Sequence, residues 1–425
     1  MNSQNITTKI LSVLFILLPL LLISGSFLPD LAASLMAITY LHYYYKFENF
    51  NKKFFYKLFL LFYFTSVINS FYFDYYLSSL KSSLPYIRFL FFSIFVYILL
   101  KKNNSLEKYF FISILISLTI VMSTGLFEFI KIRFEFWKTF NSIVDNKNAV
   151  TNLINTTSRR IAGIFGDEQI MGTYLLKIFP FYLALLLSLK GIKFKNFIVF
   201  ISNLVFSFCI LISGDRAPLI LFIFQLFLQF LFVKSLRITL LYSMLTFVFA
   251  ASILVYTDPV LKSRYVESTI QSIKGTYSPD LKPKVISYEQ EGHLRGAIVI
   301  AKKFPILGSG FKGYRNQCRN FIKENNNIVC TTHPHNIYFH VLSETGILGL
   351  TILLICFFYV VFLLFKNLIF EFFLKKKLFE NNSVIFLIAI FITLWPFTTS
   401  GSFQSNYLSV FNYLHLGFLI FYLKK

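Results

Sequence analysis

Acidic residues are scarce in this chain: 19 Asp and Glu stand against 41 Lys and Arg among 425 residues, which gives a formal net charge of +22. Charged residues of both signs make up only 14% of the chain, whereas 56% of residues are hydrophobic and 20% are aromatic. Intrinsic disorder is excluded because disordered chains are poor in aromatic residues. Nucleic-acid binding, the usual interpretation of a large positive charge, does not fit so apolar a chain. The composition therefore predicts a polytopic membrane protein without a nucleic-acid partner.

Twelve apolar stretches approach the length of about 20 residues that a helix needs to span a bilayer. They lie near residues 10–28, 29–45, 54–72, 83–100, 108–130, 170–189, 195–213, 217–233, 238–256, 345–365, 383–399 and 405–423. We expect the first not to be a cleaved signal peptide, because only Lys9 precedes its apolar run and a second span follows directly. The sequence predicts one all-α integral membrane domain over residues 1–425, with about twelve transmembrane helices.

The basic residues of the short loops predict the orientation, since cytoplasmic loops carry an excess of Lys and Arg. These residues concentrate in alternate short segments, at 46–53, 101–108, 190–195, 234–237, 366–377 and 424–425. The intervening short loops contain only Lys81 and Arg216. Both termini are therefore predicted to be cytoplasmic, in a multi-pass membrane protein. Two long loops, 131–169 and 257–335, then face outward.

Cysteine is rare, and the four residues fall in two kinds of environment. Cys318 and Cys330 lie in the larger predicted outer loop, where a disulfide is permitted. A bridge between them would add about 3 kcal/mol of local constraint; two free thiols are the alternative. Cys209 and Cys356 lie in apolar spans and are predicted to be core residues.

Arginine is also scarce, with ten residues, and only Arg237 lies in a predicted cytoplasmic loop. The other nine, in spans or on the predicted outer side, are Arg88, Arg133, Arg159, Arg160, Arg216, Arg264, Arg295, Arg315 and Arg319. The planar fork of guanidinium donors matches phosphate oxygens, whereas Lys acts as a point charge. This distribution predicts an anionic ligand, with phosphate as the leading candidate.

The individual arginines differ in how strongly they indicate an anion-binding role. Arg216 stands between two spans in Ser-Gly-Asp-Arg-Ala-Pro, where a basic group is costly unless it is used; Asp215 could instead pair with it. Arg88 in the fourth span could bind the ligand or snorkel to the interface, and Lys177 could snorkel too. Ordinary pairing with Asp or Glu is favoured for the following four residues: Arg133, Arg264, Arg315 and Arg319.

Three of the six histidines fall within residues 333–340. Pro334 and the potential N-cap Asn336 predict that a helix begins near residue 336, with His335 at its mouth. His340 and Glu344 are four residues apart, so they share a helix face and a structural role suits His340. The cluster could instead bind metal or supply a general base. His-x-His alone is a weak zinc signal without further ligands, so we expect no metal and no cofactor.

Two further segments contain candidate site residues. Residues 292–311 are predicted to form a helix that ends near Pro305, followed by a glycine-rich turn in which Gly308 and Gly310 give a weak phosphate-loop signal. Arg295 lies in the first turn of that helix. Upstream, residues 159–174 lead into the sixth span. There the acidic pair at 167–168 is either catalytic or pairs with the arginines at 159–160.

Together these segments resemble the O-antigen ligase and O-antigen polymerase superfamily of bacterial membrane glycosyltransferases. Four motifs carry the resemblance, which covers roughly residues 155–365. They are Arg-x-x-Gly-x-Phe at Arg160–Phe165, Ser-Gly-x-Arg at Arg216, Pro-x-x-Gly-x-Gly at Pro305–Gly310, and Pro-His-Asn followed by Glu-Thr-Gly-Ile-Leu-Gly-Leu within 334–350.

The resemblance implies a GT-C-like fold and a glycan donor on undecaprenyl pyrophosphate, presented at the periplasmic face. It implies that a hydroxyl of a glycan or lipid A core acceptor attacks the anomeric carbon without a metal. His335 would be the general base. Arg216, Arg295 and Arg160 would bind the pyrophosphate. Supporting roles are expected for His333, Arg88, Asn336 and Glu344.

The acceptor is left open by the motifs. A ligase, a polymerase and a protein O-glycosyltransferase share them, and the single dominant loop ending in the histidine motif favours a ligase. A lipid-linked oligosaccharide flippase is the alternative from another class, since twelve spans fit both. Transporters place charged residues near mid-membrane, whereas here the polar residues cluster in one loop and at span ends.

Overall fold

The computed structural model describes residues 3–44, 54–73, 75–274, 288–322 and 328–424, and this part of the chain is all-helical, without a β-strand. Its α-helices are α1 (Ser3–Leu21), α2 (Phe27–Thr39), α3 (Phe54–Asn69), α4 (Tyr76–Ser83), α5 (Arg88–Lys102), α6 (Ser105–Ile143), α7 (Lys147–Thr157), α8 (Met171–Ser188), α9 (Lys195–Ile212), α10 (Arg216–Phe232), α11 (Arg237–Thr257), α12 (Pro259–Lys262), α13 (Ser268–Lys274), α14 (Tyr288–Lys303), α15 (Gly313–Ile322), α16 (Ile337–Phe373), α17 (Asn381–Thr393) and α18 (Asn406–Lys424). The predicted all-α class is confirmed.

Seven helical stretches among the described residues are long and apolar enough to cross a membrane. They are Phe54–Tyr72, Tyr76–Lys102, Ser105–Ile143, Met171–Ser188, Lys195–Ile212, Lys234–Thr257 and Ile337–Phe373. Three shorter apolar helices are Thr7–Leu21, Arg216–Phe232 and Asn381–Thr393. This agrees with a polytopic membrane protein. Each of the twelve predicted stretches overlaps a helix, and twelve crossings remain a prediction.

The centre of the bundle is built from aromatic rings on α1, α6, α8 and α18. Phe110 lies between Phe15 and Phe181, with ring centroids 4.8 and 6.0 Å away. Phe181 in turn stacks on His415 at 4.4 Å. Such pairs add about 0.5–1.5 kcal/mol each beyond the burial of their area. The abundance of phenylalanine therefore serves packing between helices as well as hydropathy.

Much of the predicted loop 131–169 is helical. Helix α6 continues to Ile143, and α7 begins after Asn146, whose side chain accepts a hydrogen bond of 3.1 Å from the Ala149 amide. With 39 residues, α6 is roughly 58 Å long at 1.5 Å per residue. That length exceeds the hydrocarbon core of about 30 Å, so the end of α6 extends beyond what a bilayer can cover.

Helix α16 begins where the sequence predicts and breaks nine residues later. The Asn336 side chain accepts hydrogen bonds from the amides of Tyr338 and Phe339, at 3.0 and 3.3 Å. At Gly346 the backbone leaves the helix, with φ 63° and ψ −162°. A dihedral pair of this kind is essentially restricted to glycine, so the break depends on the glycine of the Glu-Thr-Gly sequence.

The segment Pro305–Gly310 docks into that break. The Gly310 amide donates to the Glu344 carbonyl at 2.9 Å, and the Ile347 amide donates to the Pro305 carbonyl at 2.9 Å. Two of the motifs that suggested a family therefore form one backbone interlock. The phosphate-loop interpretation of Gly308 and Gly310 is wrong, because the Gly308 and Gly310 amides are occupied by protein carbonyls.

Candidate catalytic site

Three chain segments meet beside the N-terminal end of α8. The Ile161 amide donates to the Ser213 carbonyl at 3.0 Å, and Arg264 Nε donates to the Gly214 carbonyl at 2.9 Å. Gly172 allows the approach, since a Cβ there would lie 2.9 Å from Ser213 Oγ. This packing brings together Arg160, Arg216 and Arg264, which are far apart in the sequence.

The charges of this arginine cluster (Arg160, Arg216 and Arg264) are not balanced. Arg160 Nε lies 3.1 Å from Asp215 Oδ1, whereas Arg216 Nη1 donates to the neutral Thr269 hydroxyl at 2.9 Å. Burial lowers the pKa of Arg264, and the positive charges of Arg216 and Arg160 lower it further. Three guanidinium groups around one carboxylate form a site suited to an anion.

This geometry removes one alternative that the sequence left open and corrects one expectation. Asp215 pairs with Arg160 rather than with its neighbour Arg216. Arg264, which was expected to be an ordinary loop arginine, belongs to the cluster. Arg264 lies in a π-helical turn, Ser263–Glu267, which packs against the turn between α9 and α10. Only that long-range contact identifies Arg264.

His335 lies in the loop before α16, among other histidines. The centre of its ring is 4.2 Å from that of His333 and 5.2 Å from that of His293 on α14. Its backbone has a left-handed φ of 55°, and its carbonyl accepts a hydrogen bond of 2.8 Å from the Ser400 amide. The loop before α18 therefore holds His335 in an unusual backbone conformation.

The environment keeps both loop histidines neutral. Burial lowers the pKa of His335, and the nearby charges of His293, His340 and Arg160 lower it further. Burial, followed by the charge of His335, lowers the pKa of His333 to about 3. Arg160 thus lies within electrostatic reach of His335 and links the histidines to the arginine cluster. A neutral imidazole beside a cationic pocket can act as a base near pH 7.

His340 and Glu344 form a buried structural pair, as their spacing predicts. His340 Nε2 lies 3.3 Å from Glu344 Oε1, and both side chains are buried. The other carboxylate oxygen of Glu344 accepts from the Lys312 amide at 2.9 Å, and Oε1 accepts from the Tyr314 amide at 3.3 Å. Glu344 therefore anchors the turn that leads into α15.

His293 is a site residue that the sequence reasoning missed. Its Nδ1 donates to the Val329 carbonyl at 3.0 Å, which joins α14 to the segment before the histidine loop. The structure also joins Cys318 and Cys330 in a disulfide, so the bridge predicted for this loop is confirmed over two free thiols. His293 stands two residues before Arg295, and this proximity was the one signal available in the sequence.

The comparison with known families agrees with this geometry. Residues 201–354 match a family model described as O-antigen ligase. The resemblance that the motifs suggested is confirmed over this part of the chain. No curated protein sequence matches the chain. The O-antigen ligase match includes Arg216, Arg264, His293 and His335, whereas Arg160 lies before it.

Some predicted residues lie outside the site that the O-antigen ligase match covers. Arg88 forms an ion pair with Asp30, with Nη2 2.8 Å from Oδ1, and so fastens α5 to α2. Arg133 pairs with Asp258 across α6 and the start of α12. The pairing of Arg133 is the one that the sequence favoured, whereas the pairing of Arg88 with Asp30 was not among its predicted roles. Within the described residues, no group of three or more His, Cys, Asp or Glu side chains is arranged to hold a metal ion.

Arg295, on α14 two residues after His293, contacts a partner of its own helix. Its Nη2 lies 2.6 Å from Glu291 Oε1, one turn earlier on α14, and half of its side chain is exposed. An exposed pair of this kind contributes about 0.3–0.5 kcal/mol. Arg295 can therefore exchange Glu291 for a stronger anion at little cost.

An apolar, partly open cavity lies between α3, α16, α17 and α18. Leu394 and Phe403 line it, and both also pack near Ile337 in the first turn of α16. The lining of the cavity therefore shares an apolar cluster with the residue that follows Asn336. Its polar corner is formed by Thr393 and Asn412.

Proposed function

We propose that the protein transfers a glycan from undecaprenyl pyrophosphate to a hydroxyl of an acceptor glycan, at the periplasmic face of the bacterial inner membrane. The observation that carries this proposal is the placement of neutral His335 beside the cluster of Arg160, Arg216 and Arg264. The family match over residues 201–354 supports the reaction class. A ligase, with lipid A core as acceptor, is our leading assignment.

The proposed step is a substitution at the anomeric carbon. The acceptor oxygen forms a bond to that carbon while the bond to the pyrophosphate oxygen breaks. His335 takes the hydroxyl proton as general base. The arginine cluster binds the pyrophosphate and stabilises the charge that develops on its departing oxygen, the electrostatic role that often lowers a barrier most. Fixed guanidinium groups would supply this charge stabilisation without a metal.

Arg295 would join the cluster when the donor binds. Its present partner is the exposed Glu291 carboxylate, and a pyrophosphate offers more charge and more acceptor oxygens. The donor would thus be bound by preassembled arginines and by one recruited arginine.

The apolar cavity suits the lipid part of a substrate. Its lining is dominated by apolar and aromatic side chains such as Phe55, Phe62 and Leu353. A concave apolar pocket with few polar groups is the usual form of a site for an apolar ligand. Because Leu394 in its lining shares an apolar cluster with Ile337 at the start of α16, a chain bound there would extend towards the histidine loop.

The test is a transfer assay with the purified protein in lipid vesicles. A lipid-linked glycan is offered with lipid A core, with a second lipid-linked glycan, or with a protein acceptor, and the product is identified by mass spectrometry. We expect transfer by the native protein and none by H335A. The matched control is H42A, because His42 is exposed and remote in sequence from the site. Full activity of H335A contradicts the assigned base, and lipid translocation without any product favours a flippase.

A further inference from the structure

We infer that His293 is a positioning residue for His335: in the reacting complex it accepts a hydrogen bond from the ring of His335 and so fixes which nitrogen faces the acceptor. This inference rests on the proposed function, in which His335 is the base. A base that is itself oriented by a third group is a general feature of such sites.

The contact with Val329 determines which ring nitrogen of His293 carries a proton. A carbonyl oxygen only accepts hydrogen bonds, so the contact of 3.0 Å to Val329 requires the proton on Nδ1. In the neutral ring, Nε2 is then an acceptor. The side chain is only 7% exposed, so water competes little for that lone pair.

The two rings are at a suitable separation. A hydrogen bond of about 2.9 Å between ring nitrogens places two imidazole centres roughly 5 Å apart, and these centres are 5.2 Å apart. His333 is closer to His335, at 4.2 Å, but its Nδ1 faces the Thr332 hydroxyl, which can donate or accept. His333 therefore does not define a tautomer, whereas His293 does.

The position of His293 is itself secured by tertiary contacts. The Tyr314 hydroxyl donates to the His293 carbonyl at 3.1 Å. Next to Val329, Cys330 is bridged to Cys318, which packs against Gly296 on α14. This framework joins α14, α15 and the segment before His333. His293 is therefore held by covalent and polar contacts on two sides.

The step with His293 included keeps protons balanced. Before transfer, the ring N–H of His335 donates a hydrogen bond to His293 Nε2 and keeps its proton, while the other ring nitrogen of His335 faces the acceptor hydroxyl. The hydroxyl proton moves to that nitrogen, the new glycosidic bond forms and the pyrophosphate departs. His335 is then an imidazolium, and it returns this proton to solvent. The groups around His335 are the rings of His293, His333 and His340 and the guanidinium of Arg160.

Two substitutions separate the positioning role from a merely structural one. In H293N the amide nitrogen stands near the former Nδ1 and can keep the bond to Val329, but nothing replaces Nε2. In H293Q the amide oxygen can reach the place of Nε2 and accept from His335, but the bond to Val329 is lost. We expect H293N to lose about 100-fold in kcat with donor KM unchanged, and H293Q to retain at least ten times the kcat of H293N.

The assay is the same transfer reaction, with H335A and the native protein alongside and the melting temperature of every variant measured. If H293N equals or exceeds H293Q in kcat, the inference is overturned, because only the bond to Val329 then matters. Equal kcat in both variants and the native protein overturns it too. If the native protein itself gives no transfer, the proposed function fails instead.

Discussion

The carbonyl of Ile306 occupies the space that a Cβ on Gly346 would need. The break in α16 and the chain segment after α14 are therefore fitted to each other through backbone atoms. Hydrogen bonds on both sides of the break hold them together, including that from the Ile347 amide to the Pro305 carbonyl at 2.9 Å. The same segments carry Glu344 and the end of α14. The interlock therefore fixes α14, which carries His293, relative to α16, which follows the loop of His335.

Replacing Gly346 with alanine should destabilise the protein by about 3 kcal/mol or more. The substitution combines a backbone conformation that costs about 1–3 kcal/mol for other residues with overlap against the Ile306 carbonyl. The matched control is G191A, since Gly191 has φ 76° and open space around it, and strain alone should cost about 1 kcal/mol there. Thermal unfolding in detergent measures both. Equal losses would contradict a steric interlock.

Local spacing predicted the parts of the site that lie within one helix turn. The Asn336 cap and the His340–Glu344 pair both follow from it, because a helix fixes which residues meet. Arg264 and His293 could not be predicted in this way. Their partners, Gly214 and Val329, are 50 and 36 residues away, so only the packed fold brings them together.

The phosphate-loop error has a similar cause. A glycine-rich turn after a helix resembles an anion site, and the sequence does not show that the amides already have partners. In the fold, the Gly308 amide donates to the Phe304 carbonyl and the Gly310 amide to the Glu344 carbonyl. Glycine is required here for close backbone approach rather than for ligand binding, since a Cβ at Gly308 would overlap the backbone of Glu344.

Replacing Arg216 or Arg264 with lysine should lower kcat for glycan transfer by about 10- to 100-fold. Lysine keeps the positive charge but loses the planar fork that binds phosphate oxygens at two points, and loss of one fixed donor at a developing charge typically costs 100- to 1000-fold. The control is R237K, because Arg237 donates to the carbonyls of Phe230 and Leu231. Initial rates of transfer measure the effect, and native rates in both site variants would remove the arginine cluster from the mechanism.

The free energy of unfolding should fall as the pH falls below about 6.5, in part because of His333. Burial lowers its pKa to about 3 in the folded protein, whereas an unfolded histidine has a pKa of about 6.5. Between these values the unfolded chain binds the additional proton, so stability rises with pH. The contribution is complete above pH 6.5 and is lost as the pH falls towards 3. Unfolding measured from pH 7 to 4 should show a smaller slope in H333Q; an identical slope would contradict this assignment.

Removing the disulfide should lower both stability and transfer activity. Cys318 and Cys330 are 12 residues apart, and a bridge over so short a loop contributes about 3 kcal/mol. The larger consequence concerns the site, because Cys330 adjoins Val329, the residue that accepts the hydrogen bond from His293. Without the bridge, the segment before the histidine loop has fewer contacts that hold it against α14.

The double variant C318S/C330S should therefore melt at a lower temperature and transfer glycan more slowly, with a loss in kcat rather than a rise in donor KM. A reducing agent should slow the native protein and leave the double variant unchanged. The control is C209A, because Cys209 is a buried free thiol in α9 and lies outside the bridge. Native kcat in C318S/C330S would show that the histidines are held in place without the disulfide, and the framework of α14 and α15 alone would then be sufficient to position His293.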